Sequence, residues 1–237
     1  MSVGLDAYTR NARLKPALLA LAPAAWTVTA WSPGHMLGWG GFWGVFVAIG
    51  GTVLLSQLAR DRGKRKESDL FEAYGGRPSE RLLSHAHAPN GVALAQRHTK
   101  LRRLMPGVQI PTQDEETRNP SAAHDVYAAC VGELISRARD DRMLLQENMN
   151  YGFRRNLWGL KPLGIIVSGS SAVVLGLRLF MEFSSHSLVS PLVIAFEISN
   201  LLMLLVWVLL VTPEWVMVPA RAYAERLLDS LDRLTAG

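Results

Sequence analysis

The stretch Glu147–Pro162, ENMNYGFRRNLWGLKP, divides the chain by solubility. From about residue 60 up to it, the sequence is polar and charged. Beyond it, to about residue 212, the sequence is strongly apolar. Two arginines, several aromatic residues, two glycines and a proline sit at the border. Tyr151, Phe153 and Trp158 are residue types that favour the headgroup level of a bilayer. Arg154 and Arg155 suit lipid phosphate or the edge of a polar domain. Gly152, Gly159 and Pro162 are helix-weakening residues at the point of passage. The stretch therefore reads as an interface and hinge between a polar domain and a membrane domain, with Gly152, Arg154, Arg155, Trp158, Gly159 and Pro162 as its parts.

Composition agrees. Of 237 residues, 49% are hydrophobic and 19% charged, against about one-quarter charged in an average soluble domain. The charge is absent from long windows rather than thinned throughout, which is the pattern of spans alternating with polar regions. The net charge of +5 fits Lys/Arg-rich cytoplasmic flanks. The single cysteine, Cys130, excludes an intramolecular disulfide.

Taken in order, a tail bearing Arg10, Arg13 and Lys15 leads into an apolar run from Ala17 to Trp31. A secretory signal is the rival reading of this run, but Pro23 interrupts its small-residue site. A second run extends from Leu37 to Leu58, followed by the basic cluster Arg60, Arg62, Lys64, Arg65 and Lys66. Gly75-Gly76 stops the helical pattern there. Helical periodicity returns over Val92–Met105 and again from an N-cap at Ser121, through Val126, Cys130, Leu134 and Ile135. The third and fourth apolar runs cover Leu163–Phe183 and Pro191–Val211. After Pro213 an amphipathic helix carries Trp215, Val218, Ala222, Leu227, Leu231 and Leu234 on one side. The fold class is all-α: a four-span transmembrane helical protein, two hairpins with a helical cytoplasmic domain between them. The expected boundaries are 1–58 for tail and first hairpin, 59–161 for the cytoplasmic domain, 162–212 for the second hairpin and 213–237 for the C-terminal helix.

Small residues four apart let helices approach closely in lipid. Gly40, Gly44 and Ala48 form such a row in the second run; Gly164 and Ser168 begin one in the third. Arg178 and Glu197 are the ionisable residues deep in the last two runs, about 7 and 10 Å from the connecting loop at 1.5 Å per residue. A charge at the bilayer centre costs about 2.5–3.5 kcal/mol, so they are expected to pair across antiparallel helices, with Glu182 as a competing partner. Asn200 lies one turn from Glu197. Arg97, Lys100, Arg102 and Arg103 offer a basic face for an anionic ligand.

Of the usual catalytic signatures, neither a Walker A loop, G-x-G-x-x-G, G-x-S-x-G nor H-E-x-x-H occurs. His85, His87, His98 and the pair His124-Asp125, with a later Asp140 or Asp141, are the residue set of an HD-type metal phosphohydrolase. His85 and His87, two apart, face different sides of a helix. A membrane-bound metal hydrolase is accordingly the third reading, and no catalytic residue, metal site or cofactor is assigned.

The segments Tyr74-Gly75-Gly76-Arg77-Pro78-Ser79, Ile110-Pro111-Thr112 with Glu115-Glu116, Glu147-Asn148, Tyr151–Leu157 and Gly159-Leu160-Lys161 together resemble a group of uncharacterised bacterial multi-pass inner-membrane proteins, over about residues 69–165. The layout also looks like that of membrane effectors of bacterial anti-phage systems. The resemblance implies an inner-membrane location. The first reading is a non-enzymatic membrane protein whose cytoplasmic domain senses a ligand or partner and acts on the bilayer as an oligomeric pore. The alternative is an anchor or scaffold for a cytoplasmic partner. The implied partners are the lipid bilayer, further copies in a homo-oligomer, and a cytoplasmic protein or anionic small molecule. No nucleic acid is expected.

Orientation follows from Lys and Arg in short loops. The connections Ser32–Met36 and Ser184–Ser190 hold none, whereas the N-terminal tail, the flanks of the central region and the C-terminal helix hold many. Both termini and the central region are thus expected in the cytoplasm. Alkaline phosphatase fused after Glu67 should be inactive in cells; periplasmic activity there would overturn this topology.

Overall fold

The computed structural model describes residues 7–31 and 39–236, with side chains placed for 7–31 and 50–235. Among the described residues the structure is all-helical, with no strand. A π-helical turn, Thr9–Leu14, opens into α1, Lys15–Trp31. Then follow α2, Trp39–Ala73; the single turn α3, Pro78–Arg81; α4, Gly91–Leu104; α5, Gln113–Arg118; α6, Pro120–Arg137; and α7, Arg142–Ser184. The chain ends with α8, Pro191–Leu205, its π-helical continuation Val206–Leu210, and α9, Pro213–Ala236.

The helix ends have local chemical causes. Gly75 and Gly76 take positive φ, and Gly76 N–H bonds Phe71 O while Gly75 N–H bonds Glu72 O, which is the Schellman stop. Asn90 caps α4 by accepting from Val92 and Ala93 N–H. Thr112 and Glu115 form a reciprocal capping box on α5. Asn119 with Pro120 begins α6, two residues before the Ser121 that the sequence suggested. Asn119 has the free carboxamide oxygen, and Pro120 is preset for the first helical position.

Contacts divide the chain into two units, residues 1–66 with 152–216, and 67–151 with 217–237. The sequence put the basic cluster 60–66 and residues 152–161 with the polar domain; both belong to the apolar unit. In the polar unit, α4, α6, the start of α7 and the end of α9 enclose Leu101, Cys130, Leu134, Leu144, Leu227 and Leu231. The C-terminal amphipathic face is therefore core for this unit. In the apolar unit, Ala20, Ala59, Leu157, Leu160, Trp207 and Val211 pack together, and Ala30, Leu175 and Val193 form a second cluster.

Among the described residues, two helices are long and apolar enough to cross a membrane, α7 and the continuous run Pro191–Leu210. Only 28% and 17% of their most apolar windows are buried by the rest of the chain, so these are not the covered helices of a soluble core. Ile166, Val173, Leu177, Phe180, Leu202 and Leu209 stand exposed along them.

α7 runs without interruption through Gly152, Gly159 and Pro162, where the sequence led us to expect a joint. The glycines serve close approach instead. A Cβ on Gly159 would stand 2.6 Å from Gly63 N and 2.9 Å from Ala59 O. On Gly164 it would enter the Trp207 indole at 2.2 Å, and on Gly152 it would meet Tyr8 Oη at 2.9 Å. Pro162 withholds the N–H that would bond Trp158 O, and Lys66 Nζ reaches that carbonyl at 3.5 Å while lying 4.7 Å from the Trp158 ring centre. The same substitution recurs. Pro219 orphans Trp215 O, and Arg154 donates to it at 3.0 Å with its guanidinium 4.7 Å from the Trp215 ring centre. Pro16 orphans Ala12 O, and the buried Asn156 Nδ2 donates to it at 2.7 Å. Lys161 Nζ bonds Val208 O and Val211 O at 3.1 and 2.9 Å, where the fourth apolar helix ends. The opening stretch is thus the element to which the others in its unit are fastened. Gly40, Gly44 and Ala48 lie in α2, but their surroundings fall outside the described residues.

A hinge glycine tolerates alanine in its stability, whereas a contact glycine does not. Gly159→Ala should destabilise the detergent-solubilised protein by about 1–3 kcal/mol through overpacking, read as a lowered melting temperature. Gly50→Ala, which meets nothing within 4 Å, should not.

Candidate functional site

The polar unit holds a cavity of about 560 Å³, within the size range of small-molecule sites. The Schellman stop turns the chain so that α3 follows directly, bringing Glu80 and Arg81 onto its wall. The turns after α3 bring Ser84 and His87, α5 brings Glu116, and α6 brings His124 and Tyr127.

Glu116 organises this wall. It accepts from Ser84 Oγ at 2.5 Å, His85 N–H at 2.7 Å, Ala86 N–H at 3.5 Å and Tyr127 Oη at 2.9 Å. Burial opposes its charge, but these donors hold its carboxyl below the usual range. Burial and the Glu116 carboxylate together push the Tyr127 phenol up. Proton positions follow. An ionised Glu116 only accepts, so the single Ser84 proton goes to it. His87 Nδ1, 3.0 Å from Ser84 Oγ, is then the donor of that contact. His98 is buried, and its Nε2–H donates to Leu83 O at 2.8 Å. Burial lowers its pKa, which keeps it neutral. His85 Nε2–H donates to Pro111 O at 3.2 Å, its ring edge-on to His98 at 5.0 Å.

Glu80 is treated differently. It is 7% exposed, and its Oε2 is buried without a hydrogen-bond partner. The His124 imidazole Nε2 stands 3.6 Å from that oxygen. Burial raises the Glu80 pKa, against the pull of His124 and Arg77. The wall of one cavity thus carries a carboxylate with its donors in place and a second carboxyl whose Oε2 is buried without one. Sequence reasoning passed over both glutamates. The capping box T-x-x-E explains Glu115 but leaves the adjacent Glu116 facing inward, and that was the available signal.

The residues singled out in the sequence are distributed otherwise. Arg97 reaches Leu82 O at 3.5 Å, Lys100 pairs with Asp232, and Arg102 and Arg103 are exposed. Lys100 and Arg103 line one shallow surface depression together. Asp141 accepts from Met143 and Leu144 N–H and pairs with Arg233, at the start of α7. Among the described residues no three of His, Cys, Asp and Glu come together as a metal group. Cys130 is buried in the core.

In the apolar unit Arg178 pairs with Glu182 at 2.8 Å and donates to Ala30 O, with its guanidinium 5.6 Å from the Trp31 ring centre. The expected partner was Glu197. The i, i+4 partner on the same helix wins because it needs no register between helices. Glu197 Oε2 is consequently buried without a hydrogen-bond partner. Asn200 is fully buried and donates to Thr27 Oγ1 at 3.4 Å, while its Oδ1, like Ser168 Oγ, has no hydrogen-bond partner. Arg155 is buried beside Asn156.

No family model matches this chain, and neither a curated protein nor a solved structure is similar to it.

The Glu116 carboxyl binds protons more weakly folded than unfolded. Its stabilisation is therefore present above the ordinary carboxylate range and lost as pH falls through its lowered folded value. Urea unfolding of the solubilised protein should show a midpoint that drops as pH is taken from 7 to about 3. Glu116→Ala, which strips the buried Ser84 and Tyr127 hydroxyls and the His85 and Ala86 N–H groups of their acceptor, should cost about 3 kcal/mol at neutral pH and flatten that dependence.

Proposed function

We propose that this chain is a non-enzymatic, four-span integral protein of the bacterial inner membrane, with α1 and the apolar part of α2 forming the first hairpin and the last two apolar helices the second. Its polar unit is a cytoplasmic domain that receives a ligand and acts on the bilayer through an oligomeric pore. The observation that carries this reading is the set of unpartnered polar atoms on otherwise apolar helices. Glu197 Oε2, Asn200 Oδ1 and Ser168 Oγ lack hydrogen-bond partners within one chain. In hydrocarbon such groups are costly; Asn200 and Ser168 are covered by this chain's own helices, whereas the half-buried Glu197 leaves side-chain surface for another helix or for water in a lumen. The exposed apolar side chains around them support contact with lipid. Arg178, by contrast, is consumed within the chain and anchors α7 to the end of α1.

The test is reconstitution into liposomes with a fluorescent ion-flux readout, beside cross-linking to count subunits. Ligand-gated or constitutive flux from a cross-linkable oligomer is expected. Glu197→Gln should alter that flux while membrane insertion persists. A monomer that passes no ions under any condition would favour the anchor or scaffold instead.

A further inference from the structure

We propose that Arg62, Lys66 and Lys161, beside Trp158, form a binding site for the headgroup phosphate of an anionic phospholipid such as phosphatidylglycerol. The inference goes beyond the pore and rests on one part of that reading, that α7 and the run Pro191–Leu210 cross a bilayer.

The site lies where α2 and α7 meet, at the close contact of Gly63 and Gly159. On α2, Arg62 and Lys66 are four residues apart and share a face; on α7, Trp158 and Lys161 are three apart and share another. Lys66 joins the two faces, with its Nζ 4.7 Å from the Trp158 ring centre and 3.5 Å from Trp158 O. Lys161 Nζ is fixed by Val208 O and Val211 O at 3.1 and 2.9 Å. These cations have no counter-charge. Among the described residues none of the three forms an ion pair with a carboxylate, and the exposed Asp61 beside Arg62 pairs with none of them. Burial, and then the positive charges of Lys161 and Arg62, lower the Lys66 pKa; an anion held among them would offset that repulsion.

The site is open and has donors to spare. Arg62 is exposed, and Lys66 and Lys161 are half-buried. An ammonium carries three N–H groups and a guanidinium five. Lys66 spends one on a carbonyl and Lys161 two, while the Arg62 guanidinium spends none among the described residues. Because the carbonyls pin both ammonium groups, little ordering remains to be done when an anion arrives. Depth selects a lipid over a free anion. Lys161 stands two residues before the apolar run that begins at Leu163, and the carbonyls it binds lie at the end of the Pro191–Leu210 helix. It therefore marks headgroup level on both helices, and Trp158 is an interfacial residue type. Basic groups clustered between spanning helices at that level suit anionic headgroups. The choline of phosphatidylcholine brings its own cation, which these three repel.

The experiment is native mass spectrometry of the full-length protein in detergent micelles, titrated with phosphatidylglycerol or phosphatidylcholine, with inorganic phosphate as competitor. Phosphatidylglycerol is expected to bind at least about fivefold more tightly than phosphatidylcholine, and an excess of inorganic phosphate should not displace it. Arg62→Gln, whose guanidinium has no protein partner to lose, should weaken phosphatidylglycerol about fivefold with an unchanged melting temperature. Lys66→Gln, which keeps an N–H for the Trp158 carbonyl, should weaken it similarly, and Lys66→Arg should restore it. Lys64→Gln removes an exposed charge from another face of α2 and should leave binding as in the parent. The proposal is overturned if the two lipids bind alike, if phosphate displaces the lipid, if Arg62→Gln binds like the parent, or if Lys64→Gln weakens binding as much as Arg62→Gln does. Its failure is distinguishable from that of the pore. Flux in liposomes without lipid selectivity removes this proposal alone, and lipid selectivity without flux removes only the pore.

Discussion

Backbone carbonyls that proline leaves without a donor govern the apolar unit. A helix in hydrocarbon has no water to fall back on, so each freed carbonyl must find an N–H within the protein. Pro16, Pro162 and Pro219 free the carbonyls of Ala12, Trp158 and Trp215, and Asn156, Lys66 and Arg154 satisfy them. Two of the three side chains come from α7 between Arg154 and Pro162, and the third returns to that same segment. Lys161 adds the carbonyls of Val208 and Val211. Each of these three prolines is matched by one polar side chain from another part of the chain; Pro23, inside α1, is not among them. Gly63 and Gly159 make this possible by letting α2 and α7 come within backbone contact.

Much of this was legible in outline. Hydropathy marked the two helices that are long and apolar enough to cross a membrane among the described residues, the Gly75-Gly76 stop was placed correctly, and helical periodicity found the buried face of Cys130 and Leu134. The boundary between the contact units falls at residue 152, inside the stretch Glu147–Pro162, where Arg154 and Arg155 read as groups for lipid phosphate or the edge of a polar domain and Lys161 as a cytoplasmic flank. In the structure they are the donors just described, or buried beside them. The signal was present as a repeated pattern, Trp158–Pro162 and Trp215–Pro219, each tryptophan four residues before a proline. It means nothing until one asks which carbonyl the proline orphans. The Arg178–Glu197 expectation failed for a related reason. Depth along two helices gives level but not rotation, and Glu182 was already in reach on the same helix.

The polar unit follows the opposite economy. Its core is apolar and conventional, and its polar chemistry is concentrated on one wall. Glu115, Glu116 and Glu80 show why such chemistry resists sequence reading. Glu115 closes a capping box, Glu116 gathers four donors and Glu80 has none of its own on Oε2. The residue type is the same in each case. What differs is the turn geometry around it, and that is set by backbone segments between residues 82 and 90 with little periodicity to read.

Lys66 carries a consequence of its own. Burial and the neighbouring positive charges of Lys161 and Arg62 lower its pKa, while the Trp158 carbonyl and ring hold its amine in place. Burial and these neighbours push the amine toward its free base, and a free-base amine is a nucleophile. An acylating reagent of the kind used in lysine footprinting that reaches this amine would therefore meet a group that its surroundings favour as a nucleophile. Acylation there would neutralise the cation and weaken its hold on the carbonyl that Pro162 leaves open. A covalent label on one side chain would then report on, and perturb, the bond that lets a proline sit inside a helix of 43 residues.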